Sequence, residues 1–220
     1  MKITESKLRQ LIKEIINTAD SERAIAVFGM DAINGVCLVA YDIDRLESVV
    51  RSSHQLRRGD YNGVFAGVAL SRVAKHIVGE CNGSFQVQMA ASYEKGWGIK
   101  VYLAALDYLK VIASDRFSVT PAAEGVWKKL ANYGFVEQEP FDDIDDPQTP
   151  PTSDDCHIFR GRDPALNAAW RITGPVPAEI KSLMAAGEEH LNGLEQVGLR
   201  SRAERALSLG FMQTFDDRYS

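Results

Sequence analysis

Two glycines flank a tryptophan in the segment KGWGIK, residues 95–100, directly before a helix-like repeat of apolar residues. The first amides of a helix lack intrahelical partners and carry a partial positive charge, so a strand-to-helix turn with bare glycines suits a phosphate group. Glycine also lets a diphosphate come close to the main chain. The alternative interpretation is a tight turn in which glycine only avoids steric conflict. The candidate ligand-binding residues are Lys95, Gly96, Trp97, Gly98, Ile99 and Lys100.

A second polar group, formed by Asp115, Arg116 and Ser118, lies between a predicted strand and a predicted helix. A carboxylate at this position can accept a proton from an attacking amine, and a guanidinium can pair with it or hold a substrate anion. The alternative is a structural ion pair at the end of a strand, in front of a capped helix. Ser118 likewise has a catalytic and a structural interpretation.

Cysteine and metal chemistry are not favoured by the sequence. The three cysteines, Cys37, Cys81 and Cys156, are odd in number and widely spaced, which predicts no disulfide framework and a reducing compartment. Cys156 precedes His157, but two aspartates directly before it disfavour a thiolate nucleophile. The histidines lack the spacing of metal ligands, so no metal site is predicted.

Alternating strands and helices are predicted to position these residues. The predicted strands are 23–31, 35–43, 61–70, 83–92, 110–114 and 135–141, the first two forming a hairpin. Helices are predicted over 45–58, over about three turns after the glycines, and from Thr120 as N-cap with Pro121 at the first helical position. This alternation is typical of an α/β domain with helices packed on a sheet.

The strand that leads into the glycines has a clear period of two. Phe85, Val87 and Met89 alternate with Gln86 and Gln88. The pattern predicts a half-buried strand with the three apolar side chains on one face.

The chain divides into four parts. Residues 1–19 predict an amphipathic helix, and residues 20–141 contain the α/β core. Residues 142–160 are rich in aspartate and proline and predict an extended acidic loop. Residues 161–220 predict a helical C-terminal extension, with helical periodicity in 177–196 and 201–213.

The order of motifs over residues 83–157 resembles the GNAT superfamily of N-acetyltransferases. It is similar in particular to phage-encoded GNAT-like proteins, with K-G-x-G at 95–98, D-R-x-S-V-x-P-A at 115–122, Trp127 in the next helix, and the acidic loop at 142–156. The resemblance implies an α/β fold with a mixed, mostly antiparallel sheet and flanking helices.

The resemblance also implies a reaction. Acetyl-CoA would be the co-substrate, its diphosphate on the turn at 95–100 and its acyl-pantetheine arm in a gap between two diverging strands. Asp115 would act as base toward an amine acceptor, while main-chain amides near 90–92 polarise the thioester carbonyl.

The sequence departs from the family pattern at two positions. Tyr93 stands where GNAT enzymes usually carry Gln or Arg, and Trp127 lies in the helix that often supplies a tyrosine acid. An indole cannot donate that proton at neutral pH, which leaves Tyr102, Tyr133 or water. The alternative function is a phage-encoded, catalytically degenerate GNAT-fold protein that acts as a virion component or binds a host factor.

Charge and hydropathy limit the other classes of partner. The formal net charge is −5, and the basic group Arg51, His54, Arg57 and Arg58 has no interleaved aromatic residues, so no nucleic-acid partner is predicted. No run approaches the ~20 apolar residues of a membrane span. The sequence predicts a soluble cytoplasmic protein, in the host cell if phage-encoded, or one packaged in a virion; its partner would be a protein acceptor or a phage or host protein.

Overall fold

The computed structural model describes residues 23–219 except 33–34, 53, 58, 60, 62, 73–77 and 146–150. The predicted N-terminal helix, residues 1–19, lies outside the described residues. The strands are β1 (Ile25–Ala32), β2 (Gly35–Asp42), β3 (Val64–Ser71), β4 (Phe85–Ser92), β5 (Val111–Ala113), β6 (Val136–Pro140), β7 (Asp142–Asp143), β8 (Asp155–Cys156) and β9 (Ala168–Ile172). The helices are α1 (Ile43–Arg51), α2 (Trp97–Leu109), α3 (Pro121–Leu130), α4 (Ala178–Gln196) and α5 (Arg200–Tyr219).

Seven of these strands form one mixed sheet in the order β1-β2-β3-β4-β5-β9-β6. All neighbouring pairs are antiparallel except β4 and β5, which run parallel with α2 as their connection. The predicted α/β class and the mostly antiparallel sheet are therefore confirmed. β7 and β8 form a separate parallel pair.

Among the described residues, helices occur where they were predicted, although their ends differ. α3 begins where predicted, because the Thr120 hydroxyl accepts a hydrogen bond from the Ala123 amide at 3.2 Å. α1 is shorter than the predicted 45–58: it ends at Arg51, where the Ser52 side chain and amide both donate to the Val49 carbonyl. A serine that satisfies the last carbonyls in this way ends the helix.

Each face of the sheet carries its own apolar core. One face packs against α2, α3 and the beginning of α4, and includes Trp127, Trp170 and Leu106. The other face packs against α1, α5 and the end of α4, and includes Tyr41 and Phe211. Burial on both faces explains why β2 and β3 are nearly continuous apolar runs.

α4 passes over the edge of the sheet at β1. Its residue Ile180 packs in the first core and Leu191 in the second. Between them, a Cβ atom on Gly187 would lie 2.2 Å from the carbonyl oxygen of Val27. Glycine therefore lets the helix backbone rest on the edge strand, which covers an edge that could otherwise pair with another chain.

Replacing Gly187 with alanine is expected to lower the free energy of unfolding by about 1–3 kcal/mol, because the new methyl group must push α4 away from β1. Gly193, in the same helix, has nothing within 4 Å of its Cβ position. Gly193→Ala should therefore be neutral or stabilise by up to about 1 kcal/mol through helix propensity. Urea unfolding of both variants measures the contrast, and equal midpoints would contradict the close contact.

The segment predicted as a helical extension contains a strand that the sequence interpretation missed. α4 and α5 lie where helical periodicity predicted them, but β9 inserts between β5 and β6. Its central residue, Trp170, is fully buried and donates from Nε1 to the carbonyl of Ala165 at 3.0 Å. Residues 161–220 thus complete the central sheet.

The cysteine prediction is wrong for two of the three residues. Cys81 and Cys156 form a disulfide that links the short helix Cys81–Gly83 to β8, while Cys37 is free and buried. Spacing along the chain gave no signal because the partners are 75 residues apart. The acidic segment is consequently anchored to the core by a fully buried Cys156 instead of extending away from it.

His190 on α4 is held between β2 and α1. The Tyr41 hydroxyl lies 3.0 Å from Nδ1, and a carboxylate oxygen of Glu47 lies 3.6 Å from Nε2. Burial raises the pKa of Tyr41, so its hydroxyl stays protonated and can donate to Nδ1 in the tautomer that carries the imidazole proton on Nε2, on the side of Glu47. Burial lowers the pKa of His190, and Glu47 opposes this shift only in part.

Stability is therefore expected to depend on pH through His190. Because its pKa is lower in the folded chain than the ordinary 6.5, the unfolded chain binds more protons, and stability is lost as the pH falls below 6.5. Replacing His190 with glutamine, which can still accept from Tyr41, should flatten this part of the profile. Thermal unfolding between pH 5 and pH 8 measures it; the exposed His54 replaced by glutamine is the control.

Candidate functional site

The parallel strands β4 and β5 pair over only two residues, at the start of β4. The pairs are Phe85 with Ile112 and Gln86 with Ala113. β4 then continues to Ser92 while β5 ends at Ala113, so in the described part of the chain the β5-facing edge of β4 has no strand partner after Gln86. The sheet is therefore interrupted between β4 and β5, and this interruption is called the gap.

β4 contains a β-bulge in the stretch that borders this gap. Leu70 pairs with Val87 and Ala69 with Met89, which leaves Gln88 as the extra residue. Val87 and Ala90 pack toward α2 and α3, whereas Met89 packs against the core on the other face. The predicted placement of Met89 on the same face as Val87 is therefore wrong, because a bulge interrupts the period of two and bends the strand.

A cavity of about 340 Å³, the first cavity, lies where the gap meets the beginning of α2. Its walls are the end of β4, the glycine turn, the first turns of α2 and one side of α3. Gly96 is the N-cap of α2 with a φ of 92°, a conformation that disfavours residues with a Cβ. Among the described residues, a Cβ on Gly98 would meet only Val126 at 3.8 Å and Ser92 at 4.0 Å, so these residues leave space on the side of the turn facing the cavity.

The amides of this turn are suited to an anion. The amide of Trp97 donates to the Glu94 carbonyl at 3.3 Å, within the turn itself. Gly98 and Ile99 follow in the first turn of the helix, where no preceding helical carbonyl can accept their amide protons. The partial positive charge of the helix end therefore faces the cavity.

Four of the six residues predicted to bind the ligand line the first cavity: Lys95, Gly96, Gly98 and Ile99. The Trp97 ring instead is buried and meets the Phe65 ring edge-on, with the centroids 4.7 Å apart. Lys100 also points away, since its Nζ atom bonds Glu179 at 2.6 Å and lies 4.4 Å from the Trp97 ring centroid.

A second cavity, of about 360 Å³, adjoins the first. Ala90, Tyr102, Thr120 and Ala123 contribute to the walls of both. The second cavity extends along the bulged part of β4 to the β5–α3 loop and the end of α5, which contributes Phe215. Together the two cavities form one passage along the gap.

Two of the three predicted catalytic residues, Asp115 and Ser118, line the second cavity. Asp115 is half-buried, and its Oδ1 atom accepts a hydrogen bond from the Phe117 amide at 2.7 Å. This bond fixes the carboxylate on the loop and leaves its other oxygen for a ligand. Asp115 therefore lines the second cavity with its carboxylate held by the loop.

Arg116, the third predicted residue, lies outside the lining of both cavities. Its side chain is fully buried, with Nε donating to the Ser114 carbonyl at 3.1 Å and Nη1 to the His157 carbonyl at 3.2 Å. Nη2 donates to the Ser114 hydroxyl and the Leu166 carbonyl. Burial lowers the pKa of Arg116 to about 10, so the guanidinium remains charged at neutral pH but is occupied by the protein's own oxygen atoms.

Comparison of the chain with protein-family models, curated proteins and solved structures found no significant match. The geometry of the two cavities is therefore the basis for assigning a function. In the described residues no group of three potential metal ligands occurs. None of the described helices combines the length and apolar character needed to cross a bilayer.

The structure separates the two candidate acids, Tyr102 and Tyr133, and shows where Tyr93 lies. Tyr102 is buried at the junction of the cavities and meets Trp127 edge-on, with the ring centroids 5.1 Å apart. Tyr133 packs against Phe135 and is absent from both linings. Tyr93 is 45% exposed and lines the first cavity.

Two further lining residues had no signal in the sequence. Lys129 reaches the first cavity from α3, and Phe215 reaches the second from α5. Each lies in a different helix from the glycine turn, so only the tertiary packing brings them to the gap. Cys156, weighed in the sequence as a nucleophile beside His157, is instead bonded to Cys81.

Proposed function

We propose that this chain is a GNAT-like acyltransferase that binds acetyl-CoA in the first cavity and acylates an amine that enters from the second. The observation that carries the proposal is the gap between β4 and β5, with an open helix N-terminus beside it. A thioester arm requires a slot between strands, and its diphosphate requires unpaired amides at the mouth of that slot. The gap and the turn supply both within one passage.

Charge supports the diphosphate assignment. Lys95 on the turn and Lys129 on α3 line the first cavity with Gly98 and Ile99, and the carboxylate in the same lining, Glu94, is paired with Arg23 at 2.8 Å. The remaining walls of the first cavity are mostly small or apolar, which suits the pantetheine arm. Lys100 contributes to the site indirectly, because its pairing with Glu179 braces α2 against α4.

The reaction follows from this arrangement. The lone pair of the amine attacks the thioester carbonyl carbon, a C–N bond forms, and the C–S bond breaks as CoA thiolate departs. The ammonium proton passes to Asp115, directly or through one water molecule, and from there to solvent. Main-chain amides near the end of β4 would polarise the carbonyl oxygen of the thioester.

Tyr102 is the side chain best placed to protonate the departing thiolate. It lies where the two cavities meet, so its hydroxyl can serve the sulfur at the junction of co-substrate and acceptor. Trp127 packs against it and holds the ring in place. The tyrosine acid of this chain would then come from α2 instead of from α3.

Thermal unfolding with acetyl-CoA tests the proposal. A ligand at a hundred times its dissociation constant should add about 2.7 kcal/mol of stability. Free CoA should stabilise to a similar extent, because the diphosphate contacts are the same. Absence of any shift at millimolar acetyl-CoA would overturn the proposal.

A catalytically degenerate GNAT-fold protein, acting as a virion component or binding a host factor, is the second candidate. Tyr93 and Trp127 favour it, because both replace residues that GNAT enzymes commonly use. The two candidates differ in turnover. Release of CoA thiol in the presence of amines supports the transferase, whereas tight acetyl-CoA binding without thiol release supports the degenerate protein.

A further inference from the structure

The second cavity combines a single charged side chain with mostly apolar walls. Among its described lining residues, Asp115 is the only charged side chain. The other walls are largely apolar, with Met89, Trp127 and Phe215 as the largest. One carboxylate in an apolar enclosure favours a ligand with a single cationic group on an apolar body, since each additional charge would be desolvated without a partner.

Phe215 forms part of the wall of the second cavity and belongs to α5, which is held closely against the sheet. The hydroxyl of the preceding residue, Thr214, is buried and donates to the carbonyls of Val64 at 3.1 Å and Gly210 at 2.8 Å. One turn earlier, Phe211 packs so closely on β3 that a Cβ on Gly67 would lie 2.5 Å from its ring. These contacts fix the end of α5 against the sheet and hence the position of Phe215.

Two exposed apolar side chains belong to the segments that form this cavity. Phe117 is 61% exposed and lies in sequence between two lining residues, Asp115 and Ser118. Met212 is 41% exposed and precedes Phe215 by three residues on α5, which places it on the same side of the helix. Both add apolar surface to the loop and the helix that line the cavity.

We infer that the acceptor is a small primary amine carrying an aryl or alkyl group, and that Phe215 is its specificity-determining residue. The ammonium group lies at Asp115 and the apolar group packs against Phe215 and Met89. This inference rests on the proposed acyltransferase function. The cavity volume of about 360 Å³ is at the small end for ligand sites, which suits a small molecule. Polyamines and amino sugars are disfavoured because their further polar groups meet apolar walls.

Calorimetric titration of the full chain with three amines tests the inference without requiring turnover. 2-Phenylethylamine is expected to bind at least about tenfold more tightly than ethanolamine or spermidine. Phe215→Ala should weaken 2-phenylethylamine about tenfold and leave ethanolamine unchanged, whereas Phe215→Leu should retain most of the preference. Val197→Ala, at an exposed apolar residue between α4 and α5, is the matched control and should change nothing.

The outcomes separate the inference from the function on which it rests. Equal binding of the three amines, or a preference that survives Phe215→Ala, overturns the acceptor assignment even if acetyl-CoA stabilises the chain. Absence of acetyl-CoA stabilisation overturns the transferase itself, whatever the amines do. If Phe215→Ala fails to fold, Met89→Ala removes another apolar residue of the cavity wall, and an unchanged preference in that variant overturns the inference.

Discussion

Replacing Gly98 with leucine is expected to abolish the stabilisation by acetyl-CoA. Space for a Cβ exists at Gly98, with the nearest atoms at 3.8 Å and 4.0 Å, so the variant should fold. The longer leucine side chain would extend into the first cavity and cover the amides of the turn. The expected loss is the whole ligand-dependent increment, about 2.7 kcal/mol at a hundredfold excess over the dissociation constant.

The fold should not suffer from this substitution. Gly98 lies in the first turn of α2, and exchange of a helical glycine for alanine or leucine favours the helix by up to about 1 kcal/mol. Gly98→Ala should therefore melt at or above the original temperature and retain part of its binding. Gly193→Leu, on the exposed side of α4, controls for helix propensity alone. Unchanged acetyl-CoA stabilisation in Gly98→Leu would show that the ligand does not use this turn.

Local patterns in the sequence predicted most of the fold. The hairpin of β1 and β2, the capped start of α3 and the glycine turn before α2 all depend on residues close together in the chain. β9 could not be predicted in this way. Its five residues have no clear period, and its place in the sheet depends on pairing with β5 and β6, which lie far away in sequence.

The residues of the candidate site also differ in whether the local sequence could predict their positions. Lys95, Gly96, Gly98 and Ile99 share one segment, so the sequence alone placed them together. For Arg116 the residue type was informative but its direction was not, because the oxygen atoms that hold it come from 114, 157 and 166. The bulge at Gln88, beside the gap, likewise arises from the pairing of β4 with β3.

Arg116 connects three segments behind the second cavity. Its guanidinium bonds the end of β5, the residue after β8 and the short helix Pro164–Leu166. The rings of Phe141 and Phe159 each lie 5.3 Å from its central carbon atom. Asp115 directly precedes Arg116 in the chain. The buried cation therefore also fixes the loop that carries the proposed base.

Replacing Arg116 with methionine is expected to lower the free energy of unfolding by about 3–5 kcal/mol. The variant removes a fully buried cation and the hydrogen bonds that it donates to the carbonyls of Ser114 and His157, while the Leu166 carbonyl keeps the Ser114 hydroxyl as a donor at 2.8 Å. Arg116→Lys restores the charge but not the fork of donors, so its loss should be smaller yet clear. Arg171→Met, at a half-exposed pair with Glu139, is the control and should cost about 1 kcal/mol or less.

Urea unfolding of the three variants measures these differences, and acetyl-CoA binding gives a second readout. Since Arg116 lies outside both cavities, Arg116→Lys should retain acetyl-CoA stabilisation where it folds. If Arg116 instead held a substrate anion, its loss would weaken ligand binding and leave stability near that of the Arg171 control. A small loss of stability with a large loss of binding would therefore restore the catalytic role that the sequence suggested and contradict the structural one.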